Sequence, residues 1–119
     1  MHRPIAVVDA HEKNCLDLCS ALERESYPTC SFNALTNLEA TIEEDGCWLA
    51  ILDLDSLPVD NFFFQKIKRK NPALIIIALS SRSYHPELEE AMSTHIYACL
   101  SKPVKEEELI FLIRSWGGR

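Results

Sequence analysis

Apolar residues in this chain gather into four unbroken runs, Ile5–Val8, Leu49–Leu52, Leu74–Leu79 and Ile96–Leu100. Between the runs they recur every three or four positions. Unbroken runs of this length predict strands covered on both faces, and the intervening spacing predicts amphipathic helices. Cys15, Leu18, Cys19 and Leu22 predict a helix over Glu12–Glu25, stopped by Pro28, and Thr29–Phe32 reads as a short second strand. Leu35, Leu38 and Ile42 mark a second helix, closed by Asp45-Gly46 with Gly46 available for a left-handed cap. The third strand runs from Trp48 to Leu52, and a third helix from Pro58 to Lys70, with Phe63, Phe64 and Ile67 inward and Asn71-Pro72 as its stop. A short helix around Glu87–Met92 precedes the fifth strand. The last helix follows Pro103, with Leu109, Leu112, Ile113 and Trp116 on one stripe and Glu106, Glu107 and Glu108 in a first turn that suits acids. Five β-α units in alternation, joined by right-handed crossovers, predict an α/β doubly wound parallel sheet in the order 2-1-3-4-5.

In such a sheet the carboxyl ends of all strands share one edge, which is where ligands bind. The four apolar runs lead into Asp9, Asp53, Ser80 and Lys102. Two carboxylates about 5 Å apart at an effective dielectric of about 20 repel by roughly 3 kcal/mol, so an ammonium and a divalent cation are needed to offset them. The first turn, Asp9-Ala10-His11-Glu12, holds no glycine. A nucleotide or flavin binder would place a glycine-rich phosphate loop there, whereas an acidic turn repels phosphate unless a cation intervenes. Mg²⁺, which takes oxygen ligands and shares them with a phosphoryl group, fits that chemistry. Blander roles exist for each residue alone: helix capping for Asp9 and Asp53, a loop hydroxyl for Ser80, a solvated charge for Lys102. Their coincidence at the ends of four strands favours a site.

Composition narrows the partners. The chain has 119 residues, enough for one domain to bury a core without staples, and is 47% hydrophobic and 25% charged. A net charge of −6 opposes direct nucleic-acid binding and adhesion to anionic membranes. No apolar run approaches the ~20 residues of a membrane span. Met1-His2-Arg3-Pro4 leads straight into a strand, so no signal peptide and a cytoplasmic location are expected. Cys15, Cys19, Cys30, Cys47 and Cys99 form no CxxC pair and are expected to be free thiols in the core. The basic run Lys66-Ile67-Lys68-Arg69-Lys70 falls in the last turns of a helix, where cations suit the dipole, which accounts for it better than nucleic acid does. His11 is expected to be solvated near the rim of the acidic site, and His2, His85 and His95 have no evident partners.

Taken together, Val7-Val8-Asp9, Ile51-Leu52-Asp53, Ala78-Leu79-Ser80-Ser81 and Leu100-Ser101-Lys102-Pro103 resemble, in order and spacing, the receiver domain of bacterial two-component response regulators. The resemblance covers essentially the whole chain and implies a flavodoxin-like (βα)5 fold. It implies that Asp53 accepts a phosphoryl group from a histidine kinase or phosphotransfer protein. Asp9, Asp53 and the backbone carbonyl of Asp55 would hold Mg²⁺, while Ser80 and Lys102 would bind the phosphoryl group. A cis Lys102–Pro103 bond would aim the lysine. The signal would pass as a conformational change of the fourth and fifth helices to an output domain or downstream protein, or to a homodimer. The protein would assist its own phosphotransfer and dephosphorylation without being an enzyme in the usual sense. It would either stand alone or form the amino-terminal part of a longer regulator.

Three departures from the family pattern stand out. The second of the two usual acids after the first strand is Ala10, so Mg²⁺ binding is expected to be weak, with Glu12 the nearest further carboxylate. The segment Asp55-Ser56-Leu57-Pro58-Val59-Asp60-Asn61 displaces the usual proline and lacks the usual glycine. Cys99 stands where an aromatic commonly precedes the lysine by three residues, leaving Tyr97 or Tyr84 to contribute. These departures define one rival, a degenerate receiver acting as a phosphorylation-independent interaction module. A flavodoxin-like electron carrier is the other.

Overall fold

Alternation along each strand divides the apolar residues between two helix-covered faces. A computed structural model describes residues 3–44 and 46–117, apart from the side chains of Glu43 and Gly117. Its strands are β1 (Ile5–Val8), β2 (Thr29–Phe32), β3 (Leu49–Asp53), β4 (Ile75–Ser80) and β5 (Ala98–Ser101). All pair in parallel in the order β2-β1-β3-β4-β5, as expected, with Val8 beside Leu52 and Asp53 beside Leu79. The helices are α1 (Glu12–Arg24), α2 (Leu35–Glu43), α3 (Asn61–Lys70) and α4 (Glu106–Gly117).

Ala6, Val8, Ala50, Leu52, Ile76 and Ala78 face one way and pack with Leu38 and Ile42 of α2 and Phe63, Phe64 and Ile67 of α3. Their neighbours Ile5, Val7, Leu49, Ile51, Ile75 and Ile77 face the other way, against Cys15, Cys19 and Leu22 of α1 and Leu109, Ile110 and Ile113 of α4. Each buried Val, Leu, Ile or Phe among them contributes about 1.5–3 kcal/mol, so both layers fix the register that aligns the strand ends.

Where the elements differ from expectation, local chemistry explains it. Helix α3 begins at Asn61 rather than Pro58, because the Asp60 side chain accepts the Phe63 amide at 2.8 Å and sets the start there. Residues 54–60 are thereby left as a loop over the strand edge. Gly46 is not in the left-handed region. Its amide donates to the Thr41 carbonyl at 2.9 Å, and a Cβ would stand 2.9 Å from Thr41 Cγ2 and 3.2 Å from Thr41 O, so it is the absence of a side chain that matters. The one positive φ of a non-glycine residue described is at Ser26, just beyond α1.

The short helix expected around Glu87–Met92 forms as one irregular helical stretch: a 3-10 turn at Pro86–Leu88 passes through helical Glu89 and Glu90 into a wide π-type turn at Ala91–His95, closed by Ile96 N–H donating to Ala91 O at 2.8 Å. Ser93-Thr94-His95 are weak helix formers, and Asn61 holds both turns from α3 by bonding the Glu87 carbonyl and the Ala91 amide.

Other expectations are adjusted. Trp116 is not in the inner stripe but stacks edge-on against Tyr97 at 5.1 Å, and Leu112 is half-buried. Cys15, Cys19 and Cys47 are buried, but Cys30 is half-buried and Cys99 exposed. Burial pushes the Cys15 thiol up to about 11, so it behaves as packing. The basic run ends α3 around the buried Ile67, as expected, and it is also engaged: Lys66 pairs with Glu39 at 2.9 Å, and Lys68 donates to the carbonyls of Pro72 and Leu74. Met1, His2, Asp45, Gly118 and Arg119 lie outside the described residues, while Gly117 belongs to α4. Among the described residues no helix is long and apolar enough to cross a membrane.

Asp60→Ala should destabilise the protein by about 1 kcal/mol in urea denaturation, while Asp60→Asn, which can still cap, should retain most of that stability. Equal loss in both variants would mean that the carboxylate does something other than cap α3.

Candidate functional site

Strands β1, β3 and β4 end side by side where the strand order reverses, and each delivers one polar group. Asp9 follows β1, Asp53 is the last residue of β3, and Ser80 the last of β4. Lys102 follows β5, where its amide donates to the Ser80 carbonyl at 3.1 Å, and the Lys102–Pro103 bond is cis as expected. All four sequence-predicted residues therefore meet at one edge.

The centre is Asp53, 1% exposed at the end of an apolar strand. Lys102 Nζ donates to its Oδ1 at 2.6 Å and to Asp55 Oδ2 at 3.1 Å. Burial by itself would depress the lysine, but hydrogen bonds and charge from Asp53 and Asp55 outweigh it and raise the pKa above the ordinary value. Burial likewise works against ionised Asp55, yet the Lys102 ammonium and Ser81 hold its carboxyl below the usual range. Asp55 also accepts the Ser81 amide at 3.1 Å, so its side chain takes part as well as the carbonyl considered from sequence.

Asp9 is built into the opposite wall. Its Oδ1 accepts the His11 amide at 2.8 Å and the Ser56 hydroxyl at 3.3 Å, while Asn33 donates to its backbone carbonyl at 2.8 Å. One ligand atom each from Asp9, His11 and Asp53 lie within 4.8 Å of one another. Asp53 Oδ2 is buried and has no hydrogen-bond partner. A buried carboxylate oxygen without a donor, in a cluster with a second carboxylate, is the situation a divalent cation relieves, and these residues fit one. Glu12 does not belong to the cluster, so it does not stand in for the acid missing at Ala10.

Ser80 is engaged from an unexpected side. Its Oγ lies 2.7 Å from Nε2 of His85, which is buried, and accepts the Arg82 amide at 3.0 Å. His85 thus has a partner, contrary to expectation, and His95 lies 3.7 Å from the Glu90 carboxylate. The sequence held no signal for His85, which sits in a polar loop with no periodicity. His11 was more accessible to inference, since it follows Asp9 by two residues, inside reach of an Asx-type turn, whereas Ser56 reaches Asp9 across 47 residues of sequence and left no local signal. Of the two tyrosines considered, Tyr84 is exposed and Tyr97 stacks on Trp116. A cavity of about 350 Å³ beside the site is lined by Asp55, Ser81, Arg82, His85 and Glu87 among others.

The family model for the response regulator receiver domain matches residues 5–114. A crystal structure of a CheY-like response regulator receiver domain protein from Methanospirillum hungatei JF-1 is similar over 98% of this chain and 94% of its own, with 19% identity and a TM-score of 0.86. The beryllofluoride-activated NtrC4 receiver domain dimer is similar over 94% and 93%, with 25% identity and a TM-score of 0.82. The BeF3-activated DrrB receiver domain is similar over 100% of both chains, with 20% identity and a TM-score of 0.81. No curated protein matches the sequence.

Lys102→Met should cost about 2 kcal/mol near neutral pH, less than the ~3–5 kcal/mol of a fully buried broken pair, because the lysine side chain is 30% exposed. Adding Asp53→Asn should restore most of it. Asp55 has a lowered folded pKa, so its share of stability is present above the unfolded value of about 3.9 and is lost as pH falls through the folded one. Lys102 has a raised folded pKa, so its share is complete below about 10.4 and is lost as pH rises through the folded value. The stability gap between wild type and Lys102→Met should therefore be flat from about pH 5 to 9 and narrow on both sides, as measured by denaturation across pH.

Proposed function

The chain belongs to the response regulator receiver domain family, whose members are phosphorylation-dependent signalling domains rather than enzymes in the usual sense, and we propose on that premise that Asp53 is its phosphoacceptor. The carrying observation is the state of the Asp53 carboxylate: buried, with Oδ1 on the Lys102 ammonium at 2.6 Å and Oδ2 without a hydrogen bond. A carboxylate oxygen of Asp53 attacks the phosphorus of a phosphohistidine on the kinase or phosphotransfer partner. The P–O bond forms as the P–N bond breaks, and the imidazole leaves. Lys102 stays beside the product and offsets the added negative charge. Water attack on the same acyl phosphate returns Asp53 and inorganic phosphate, so the domain assists both its own modification and its own reset.

Receiver domains generally use Mg²⁺ at this acidic pocket. Here Asp9, Asp53 and the backbone carbonyl of Asp55 would hold it, and the ion would supply neutralisation of the phosphoryl oxygens. With Ala10 in place of the second acid, binding is weak.

Relay begins at Ser80. Its hydroxyl exchanges His85 for a phosphoryl oxygen, and because the His85 carbonyl accepts the Leu88 amide, that exchange tugs on the 3-10 turn at Pro86–Leu88. Asn61 couples the same turn to Ala91, and Ile96 N–H closes the π-type turn ahead of β5. The segment at 86–95 and α4 are then the surfaces read by an output domain, a downstream protein or a second copy. Residues 1–119 act as one receiver domain.

Incubation with a small acyl phosphate and Mg²⁺, followed by intact mass, tests the assignment. A slow single phosphoadduct is expected at about tens of millimolar Mg²⁺, lost in Asp53→Asn and faster in Ala10→Asp. The Ala10→Asp variant should bind Mg²⁺ at least ~10-fold more tightly, about 1.4 kcal/mol. No adduct even in Ala10→Asp would sink the proposal and leave the phosphorylation-independent interaction module as the account.

A further inference from the structure

We infer that His11 is a third protein ligand of the cation site, and that it shifts the site's preference from Mg²⁺ toward a first-row transition ion that accepts imidazole nitrogen. The inference rests on the assignment of the acidic edge as the cation site of a receiver domain. It concerns which ion this chain selects there.

The substitution at Ala10 removes an oxygen ligand, and the next residue brings a nitrogen to the same place. The His11 amide donates to Asp9 Oδ1 at 2.8 Å, and this two-residue turn holds the ring against the same carboxylate, with Nδ1 3.3 Å from Oδ1. A neutral Nδ1 lone pair and a carboxylate oxygen repel each other unless a proton or a cation lies between them. Independent of His11, Asp53 belongs to the same cluster, and its buried Oδ2 has no donor.

Distances allow a shared ion. Two ligands each about 2.1 Å from a cation are about 3.0 Å apart at right angles and about 4.2 Å apart when opposed. The Nδ1–Oδ1 separation of 3.3 Å falls inside that interval. The cluster's limit of 4.8 Å exceeds it by about 0.6 Å, a gap that small side-chain rotations within the cluster can close, and the His11 side chain is 69% exposed. Ser56 Oγ, 3.3 Å from Asp9 Oδ1, steadies the carboxylate from outside. One imidazole with two carboxylates is a mixed nitrogen and oxygen set. Mg²⁺ gains little from imidazole, whereas Co²⁺ and Zn²⁺ gain much.

Calorimetric titration of the whole protein with Co²⁺ and with Mg²⁺ tests this without reference to phosphorylation. Wild type should bind Co²⁺ at least ~10-fold more tightly than Mg²⁺, and His11→Ala should lose about 10-fold in Co²⁺ affinity while Mg²⁺ changes less than about twofold. The Co²⁺ site should also disappear in Asp53→Asn, and Zn²⁺ should shift the His11 ring nitrogen in NMR spectra. Equal effects of His11→Ala on the two ions, or Co²⁺ binding that survives both Asp9→Asn and Asp53→Asn, would overturn the inference. A Mg²⁺-dependent phosphoadduct alongside either result would leave the receiver assignment standing. If neither ion binds and no adduct forms, both fail together.

Discussion

Everything at the ligand edge depends on one ammonium beside one buried carboxylate. A parallel sheet brings the carboxyl ends of its strands together regardless of what they carry, and here they carry Asp9 and Asp53, with Asp55 in the following loop. Three acids converging on one edge, two of them buried, repel one another. Lys102 offsets this by bonding Asp53 Oδ1 and Asp55 Oδ2 at once. Its backbone is fixed by the bond from its amide to the Ser80 carbonyl, so the charge comes from β5, on the far side of β4 from Asp53. The repulsion at the edge is therefore reduced by sheet order as well as by residue type. Permuting the strands would leave the same residues present but unpaired.

Lys102 satisfies only half of Asp53. The unbonded Oδ2 keeps an electrostatic demand in the folded protein, and both proposed events, cation binding and phosphorylation, answer it. The site is thus poised rather than relaxed, which is what a domain that must change state on gaining a charged group requires. The responsive element is correspondingly light. Between β4 and β5 the chain makes one short irregular helical stretch, 3-10 at its start and π-type at its end, with Leu88 and Ala91 as buried anchors and Asn61 as a tether from α3. Short turns held by a few side-chain bonds open at lower cost than a packed helix, so a small displacement at Ser80 has somewhere to go.

Sequence legibility followed the strength of the physical signal. β1, β3 and β4 were readable because residues covered on both faces must be continuously apolar, whereas the edge strands β2 and β5 are partly exposed, and the strand order followed from the handedness of crossovers. Asp9, Asp53, Ser80 and Lys102 were readable because each sits within two residues of the end of such a run. Less legible were features set by competition between weak local preferences. Pro58 is a good first helical residue, but the Asp60 cap starts α3 later, and no periodicity reveals that choice. Gly46 suggested a backbone conformation when the actual demand was steric clearance from Thr41. His85 was invisible because its contact spans a loop, and a hydrogen bond between a loop histidine and a strand-end serine leaves no trace in spacing.

The same reasoning gives the Ala10 position its meaning. In an apo edge already short of positive charge, each further acid adds repulsion that only a bound cation removes, so a full acidic set gains affinity for Mg²⁺ at the expense of the unliganded fold. Replacing one acid with alanine relaxes that tension. His11, neutral when unprotonated, can restore a ligand without restoring the charge. A histidine ligand donates through a lone pair and demands an ion that values it, whereas a carboxylate attracts any cation by charge. A site that gives up charge and gains nitrogen therefore trades general affinity for selectivity. In this chain both changes occur in adjacent residues of one turn, pinned to Asp9 by a single backbone hydrogen bond.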